Sequence, residues 1–256
     1  VCNIHIYMGV PSLFKTLFRN HPDIVNTTIK NVDCLYLDFN CLIHACRSLV
    51  NDCSHESMIN AVIIKTIEVL SQVNPSKLLY ISMDGPVPFA KLLRQRERRW
   101  KKIYDEYNIK TIHERLNENI KPVFDSNKIS PGTIFMKQLH ERIVYEINQN
   151  TFGDIETVIF SDSNTIGEGE FKILKHIKEN VTKKYTSCIY SIDGDLLILA
   201  MTLRRSHIYI FRESEDSKVF IDMSICKKQI GEVFVNKRET THHQRIISDL
   251  CFLSLL

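Results

Sequence analysis

Apolar residues alternate along the chain between two patterns, short continuous runs and longer stretches with helical spacing. The continuous runs, which are typical of buried strands, cover residues 33–39, 77–83, 156–161, 187–192 and 207–212. Helical spacing covers residues 58–72, 89–118 and 171–180, and a further helix is expected after the start signal at residues 130–133 (SPGT). The helix at 89–118 could break near Tyr107 and Asn108. This alternation predicts an α/β fold with a mostly parallel twisted sheet and helices on both faces.

Acidic residues fall just beyond several of the predicted strands. The set is Asp38, Asp84, Glu168, Glu170, Asp193 and Asp195. Because the carboxyl ends of parallel strands meet at one edge of a sheet, these side chains are expected to converge there. In an extended segment, Asp193 and Asp195 would leave the chain on the same face. Clustered carboxylates repel unless cations neutralise them, and Mg²⁺ or Mn²⁺ suits an all-oxygen ligand set.

Each acidic residue also has a simpler interpretation. A single Asp at the end of a strand more often caps a helix or forms a turn. Glu168 and Glu170 could be solvated residues in the first turn of a helix, where negative charge is favourable. The metal hypothesis therefore depends on several carboxylates occurring at equivalent strand ends, and not on any one of them.

A basic stripe runs along the start of the predicted long helix. Its members at helical spacing are Lys91, Gln95, Arg98, Arg99 and Lys102. Next to an acidic metal site, such a stripe could bind a terminal phosphate through charge-assisted hydrogen bonds. The alternative for a basic run of this kind is an ordinary solvated helix face.

Composition narrows the protein class only slightly. The chain has 256 residues and a net charge of +3, so a nucleic-acid-binding surface would have to be local. No apolar run is long enough to span a bilayer, and the first residues lack the features of a signal peptide. Residues 1–7 precede a Met8-Gly9 pair that resembles an initiation site, and we interpret them as an upstream extension.

The eight cysteines include no C-x-x-C pair. Cys41, Cys46 and Cys53 lie near His44 and His55, but their spacing fits no standard zinc pattern, so no zinc site is expected. Reduced thiols in an intracellular protein are the simpler explanation, and we expect a cytoplasmic rather than a nuclear location.

Six ordered blocks of the sequence resemble the Xrn family of 5′→3′ exoribonucleases. The blocks are residues 8–14 (MGVPSLF), 35–44 (LYLDFNCLIH), 83–99, 124–136 (FDSNKISPGTIFM), 167–173 (GEGEFKI) and 191–196 (SIDGDL). The resemblance implies a fold like that of PIN and flap nucleases. It also implies hydrolysis of single-stranded RNA with a 5′-monophosphate to mononucleotides in RNA decay, by a monomer that uses two Mg²⁺ or Mn²⁺ ions.

Matched position by position, the resemblance assigns roles to individual residues. Asp38, Asp84, Glu168, Glu170, Asp193 and Asp195 would be the catalytic metal ligands. Lys91, Gln95, Arg98 and Arg99 would hold the 5′-phosphate, and His44 would contact the terminal nucleotide. Taken alone, His44 would more often be a packed or capping histidine. The chain departs from the family at Cys41, Glu97 and Gly194, and none of these changes removes a ligand.

The end of the sequence departs further from the family pattern. Residues 249–256 resemble the helix that precedes a Gly-Asn-Asp motif with another metal ligand in the family. We therefore expect residues 8–256 to be the N-terminal portion of a catalytic domain, incomplete at its C-terminus, with an exposed apolar last helix. Two alternatives remain: a flap-type endonuclease that acts on DNA, and a non-catalytic RNA-binding fragment.

Overall fold

The computed structural model of the protein describes residues 19–116, 118, 123–213, 218–234 and 243–254. Seven strands form one sheet within these ranges: β1 Val25–Asn26, β2 Cys34–Asp38, β3 Leu78–Ser82, β4 Thr157–Ser161, β5 Ser187–Tyr190, β6 Ile208–Glu213 and β7 Lys218–Asp222. Their order across the sheet is β1-β7-β6-β5-β2-β3-β4. The five strands from β6 to β4 are parallel, and β7 and β1 add an antiparallel edge.

Eight helices are described: α1 Phe39–Cys46, α2 His55–Val73, α3 Phe89–Arg115, α4 Ile134–Asn148, α5 Gly169–Asn180, α6 Gly194–Met201, α7 Met223–Phe234 and α8 His243–Ser254. Successive residues of a strand point to opposite faces of a sheet. Leu35 and Leu37 accordingly pack with α1, α2 and α4, whereas Cys34 and Tyr36 pack with the helices α5 to α8. The predicted α/β fold, with a mostly parallel sheet between two helical layers, is confirmed.

Helix boundaries follow local sequence signals. Ser54 caps α2 by accepting a hydrogen bond from the Ser57 amide, and Asn74 ends the helix in the left-handed conformation (φ 49°). Thr133 caps α4 in the same way as Ser54 caps α2, by accepting from the Met136 amide. Helix α3 runs without interruption from Phe89 to Arg115, so the break considered near Tyr107 is absent.

Three helices were not predicted: Phe39–Cys46, Gly194–Met201 and Met223–Phe234. Phe39–Cys46 and Gly194–Met201 are eight residues each, and the second is apolar from Leu196 to its end. In Gly194–Met201, every residue from Leu196 to Met201 is buried, and a helix without a polar face carries no helical period in its sequence. The N-terminal MGVPSLF block at residues 8–14 lies outside the described residues.

The last described helix, α8, packs against α6 and α7 and is not wholly exposed. Ile247 and Cys251 are buried, and the Cys251 thiol donates to the Ile198 carbonyl at 3.4 Å, although Phe252 is exposed. The expectation of an exposed apolar last helix is therefore wrong for the face that carries Ile247 and Cys251. None of the helices in the described ranges combines the length and the apolar character needed to cross a membrane.

Candidate functional site

The predicted acidic residues lie where the strand order reverses direction. The chain builds β2, β3 and β4 outward on one side, then returns to place β5 on the other side of β2. Asp38 is the last residue of β2, and Asp193 follows β5 by three residues. In open α/β sheets, the crevice at such a reversal point is the usual place for a ligand.

Asp38 is tied to the neighbouring strand end by a buried serine. The Ser191 hydroxyl donates to Asp38 Oδ2 at 2.9 Å, and the Ser191 hydroxyl oxygen accepts a hydrogen bond from the Asp193 backbone amide at 3.1 Å. Burial, reinforced by the negative charge of Asp84, raises the pKa of Asp38 to about 6 against partly offsetting hydrogen bonds from Cys41 and Ser191. Ser191 thus fixes the relative position of two carboxylates from separate strands.

Asp84 is held from three directions. Asn40 Nδ2 donates to Asp84 Oδ2 at 2.9 Å, and the Asp84 amide donates back to Asn40 Oδ1 at 3.2 Å. The Gly169 amide, at the start of α5, donates to Asp84 Oδ1 at 2.7 Å. Burial raises the pKa of Asp84, with the Gly169 hydrogen bond acting in the opposite direction.

Glycine lets the start of α5 approach these two carboxylates. A Cβ added to Gly169 would lie 3.4 Å from Asp84 Oδ1 and 3.6 Å from Asp38 Oδ1, so both oxygens border one backbone position. The buried Lys172 strengthens this contact, since its ammonium donates to the Met83 carbonyl at 2.8 Å and to the Asp162 carbonyl at 3.0 Å. The loops after β3 and β4 are therefore joined directly below the site.

Glu168 and Glu170 lie at the first turn of α5, as the simpler interpretation expected, but they are not freely solvated. Glu168 forms an ion pair with Lys91, and Glu170 is only partly accessible. Burial and then the charges of Glu168, Asp38 and Asp193 raise the pKa of Glu170 to about 8, with Lys91 opposing. These mutual effects place Glu170 among the other carboxylates.

The expectation that Asp193 and Asp195 share a face of an extended segment is wrong. Asp193 is the N-cap of α6, and its side chain accepts from the Asp195 amide at 3.1 Å. Asp195 lies in the first helical turn, where burial and the charge of Asp193 raise its pKa. The two carboxylates still lie together, because an N-cap and the first turn are adjacent.

The oxygen atoms of these carboxylates are suitable ligands for a divalent cation. In the structure, the oxygens of Asp38 and Asp84 accept hydrogen bonds from protein donors. Within the described ranges, no group of three or more His, Cys, Asp or Glu side chains has the arrangement of a metal site. Ser191, Asn40 and the Gly169 amide hold the oxygens instead. Burial, together with the charges of neighbouring carboxylates, raises the pKa values of Asp38, Asp84, Glu170 and Asp195. Oxygen-only donors of this kind fit Mg²⁺ or Mn²⁺.

The carboxylates Asp38, Asp84, Glu168, Glu170, Asp193 and Asp195 together form an acidic rim, and a cavity of about 300 Å³ adjoins it at Asp84. Helix α3 contributes Gln95, Arg98, Arg99 and Lys102; the floor includes Asn40, His44, Asp84 and Gly85; and the opposite wall includes Ser126, Asn127, Ile129, Ser130 and Pro131. Most of the predicted basic stripe therefore faces one cavity. Lys91 does not line this cavity, because its ammonium forms an ion pair with Glu168. Glu97 is exposed and also lies outside the lining.

The wall opposite α3 carries residues to which the sequence assigned no role. Lys102 hydrogen-bonds the Ser126 hydroxyl and lies 3.6 Å from Asp125 Oδ1, while Arg47 Nε donates to the Phe124 carbonyl at 2.9 Å. The FDSNKISPGTIFM block contained the only signal for this wall. Asn40 and Ser191 were also not predicted as site residues, although the first stands two positions after Asp38.

His44 opens onto the same cavity. Its ring is accessible from the cavity yet crowded by protein atoms, and this desolvation, together with the charges of Arg47 and Lys102, lowers its pKa to about 4. His44 is thus a neutral imidazole at neutral pH. The other members of the considered zinc cluster have separate contacts: Cys46 donates to the Ala61 carbonyl, and His55 Nδ1 bonds Gln138 Oε1 at 2.6 Å.

Comparison with known proteins agrees with the resemblance in the sequence. The family described as XRN 5'-3' exonuclease N-terminus matches residues 8–214. The chain is 32% identical over 225 residues to 5'-3' exoribonuclease 1 of Schizosaccharomyces pombe, covering 80% of this chain and 17% of that protein. It is 34% identical to 5'-3' exoribonuclease 1 of Homo sapiens, and the match covers 80% of this chain and 13% of that protein. It is 31% identical to 5'-3' exoribonuclease 2 of Kluyveromyces lactis, and that match covers 94% of this chain and 29% of that protein.

Among solved structures, the catalytic core of Rad2 in complex with DNA substrate is similar with a TM-score of 0.49 and 14% identity, covering 88% of this chain and 58% of that chain. The chain spans less than a third of the length of the three exoribonucleases compared above. The family match covers most of the chain and includes both the acidic rim and the basic cavity. The chain belongs to the XRN 5'-3' exonuclease N-terminal family.

Proposed function

We propose that this chain carries the phosphate-binding and metal-binding residues of a 5′→3′ exoribonuclease that converts single-stranded RNA with a 5′-monophosphate into mononucleotides. The observation that carries the proposal is the contact between the two halves of the site. Asp84 belongs to the acidic rim and also lines the cavity that carries the basic stripe, as does Asn40, which donates a hydrogen bond to Asp84. A terminal phosphate in the cavity would bring the next phosphodiester toward the carboxylates.

The basic residues of the cavity would select the 5′ end. Gln95, Arg98 and Arg99 present donors from one side of α3, and guanidinium groups bind phosphate oxygens in paired hydrogen bonds. A cavity of about 300 Å³ accepts a monophosphate and part of a nucleoside, whereas a cap or triphosphate would need more room. The neutral His44 ring could stack on the terminal base, which would allow little discrimination between bases.

The carboxylates would hold Mg²⁺ or Mn²⁺, most simply as two ions. Such ions, when bound, polarise the phosphodiester and activate the attacking water. The contribution of the protein is orientation: Ser191 positions Asp38, and Asn40 with the Gly169 amide positions Asp84. Lys91, which is paired with Glu168, would maintain the shape of the acidic rim and not contact the phosphate directly.

The phosphate assignment is tested by binding. Fluorescence anisotropy compares one oligoribonucleotide with a 5′-monophosphate and with a 5′-hydroxyl, in Ca²⁺ to suppress hydrolysis. We expect the phosphorylated end to bind about tenfold more tightly, and Arg99→Gln to remove most of this difference. Arg96→Gln is the matched control, since Arg96 is on the same helix but exposed and outside the cavity. Equal binding of both ends by the unaltered chain would refute the assignment.

The metal and product assignments need separate measurements. Calorimetric titration with Mn²⁺ should give binding that Asp193→Ala weakens. Hydrolysis of end-labelled RNA should release mononucleotides from the 5′ end, whereas internal cuts in a DNA flap would favour the endonuclease alternative. Metal binding and RNA binding without any hydrolysis would favour the non-catalytic alternative.

A further inference from the structure

A second cavity lies at the opposite edge of the sheet from the carboxylates. It is formed where α5 leads into β5, where α6 leads into β6, and by the face of α8 that covers these turns. Its volume is about 650 Å³, within the usual range for small-molecule sites. Because both turns precede their strands, this cavity is at the amino ends of the parallel strands and is separate from the first cavity.

The walls of the second cavity are fixed by hydrogen bonds. Arg205 donates to the Val181 carbonyl at 2.6 Å and to the Lys178 carbonyl at 3.0 Å, which joins its turn to the end of α5. Lys227 on α7 donates to the Leu203 carbonyl, and the Cys251 contact with Ile198 joins α8 to α6. The cavity is therefore largely pre-formed, and a ligand would not have to order its walls.

The charge of the lining is one-sided. The lining includes Lys178, Lys183, Arg204 and Arg205, and no Asp or Glu of the described residues lines the cavity. The whole chain is nearly balanced, with 33 basic and 30 acidic residues, so this is a local excess. Four cations around one concave surface produce a positive potential that favours an anionic ligand.

The interior of the cavity, in contrast, is apolar. Leu203 and Cys251 are 1% and 2% exposed and form part of the lining, whereas the ring of Phe252 is 64% exposed. An aromatic ring of this kind offers a stacking surface for a planar base. An inorganic anion would bind to the Lys and Arg residues and leave the apolar part of the lining exposed to water. The lining therefore suits a ligand that is both aromatic and anionic.

We propose that this second cavity binds a nucleoside phosphate. The base would lie against Phe252, and the phosphate would be held by Lys183 and Arg204, with Lys178 alongside. The inference does not depend on the proposed nuclease activity, because none of these residues belongs to the acidic rim or to the first cavity.

Photo-crosslinking with 8-azido-AMP, followed by peptide mapping, tests the location as well as the binding. The chain used carries Arg98→Ala and Arg99→Ala, so that the first cavity no longer binds phosphate. We expect label on the peptides that contain Leu203 or Phe252. The double substitution Lys183→Glu and Arg204→Glu should lower this labelling about tenfold. Lys175→Glu, an exposed lysine of α5 outside the cavity, should leave it unchanged.

Competition identifies the ligand class. AMP should block the labelling at concentrations about tenfold below those of adenosine or inorganic phosphate, since only AMP uses both halves of the cavity. Inorganic phosphate that competes as well as AMP would overturn the nucleotide assignment in favour of a bare anion site. An acidic peptide that competes better than AMP would overturn it in favour of a protein partner. Label that is absent from both peptides, or unchanged by the double substitution, would refute the site itself.

Discussion

Alanine at position 85 should force apart the two loops that carry Asp84 and Glu168. The Gly85 amide donates to the Gly167 carbonyl at 2.9 Å, and the Gly167 amide donates to the Pro86 carbonyl at 3.0 Å. A Cβ on Gly85 would lie only 1.8 Å from the Thr165 carbonyl oxygen. This oxygen is backbone, so no side-chain rotation can relieve the overlap.

The cost follows from that geometry. Real Cβ atoms essentially never come within 3.0 Å of another heavy atom, so the loops must separate by more than 1 Å. Overpacking of this kind costs about 1–3 kcal/mol, and loss of the two backbone hydrogen bonds adds about 1 kcal/mol each. The free energy of unfolding of Gly85→Ala should therefore fall by about 3–5 kcal/mol. The same displacement would move Asp84 away from Gly169 and weaken Mn²⁺ binding.

Urea denaturation followed by circular dichroism measures the change, with Gly132→Ala as the control. Gly132 has a φ of 85° and no atom within 4 Å of an added Cβ, so its substitution isolates backbone strain without steric overlap. We expect that control to lose about 1–2 kcal/mol. A loss below about 1 kcal/mol in Gly85→Ala, or a loss equal to that of the control, would refute the reasoning.

Three further substitutions test single contacts. Asn40→Ala should lower the free energy of unfolding by about 2 kcal/mol in urea, because it removes two hydrogen bonds to the buried Asp84; no measurable loss would contradict this. The pKa of His44 is lowered from 6.5 to about 4, so the unfolded chain binds more protons than the folded chain between these pH values. The free energy of unfolding should therefore fall as the pH drops from 6.5 to 4, and His44→Gln should reduce that fall. A pH profile of stability that is identical in His44→Gln and the unaltered chain would contradict the assignment. Thr133→Ala should cost about 1 kcal/mol by removing the cap that accepts from the Met136 amide, and Thr133→Ser, which keeps the hydroxyl, should restore most of it.

Local patterns predicted the elements well where one face is polar or where a cap is present. The strands predicted at 33–39 and 77–83 occur at Cys34–Asp38 and Leu78–Ser82, and α4 begins directly after Thr133. The same reasoning missed the helices α1, α6 and α7 and the antiparallel edge strands β1 and β7. It also assigned Asp193 and Asp195 to an extended segment, since a strand end followed by a buried helix looks like a longer strand.

The site shows a similar division. The strand-end positions of Asp38, Asp84 and Asp193 were sufficient to predict that their carboxylates share one edge. The spacing on α3 could not distinguish Lys91 from Arg98, because both belong to the same helical stripe. Only the packing of α5 places Glu168 against Lys91 and leaves Arg98 in the cavity.

The sequence by itself determined the alternation of strands and helices, the acidic strand ends and the basic stripe, because hydrophobic periodicity and capping are local properties. Only the tertiary structure decided which donors hold each carboxylate and which residues form the wall opposite α3. It also decided that a second basic cavity exists at the amino ends of the parallel strands. Many of those features join segments far apart in the sequence, as in the hydrogen bond between Asn40 and Asp84, and such contacts arise from strand order and packing. No local pattern encodes that order, since it depends on the balance of interactions across the whole core.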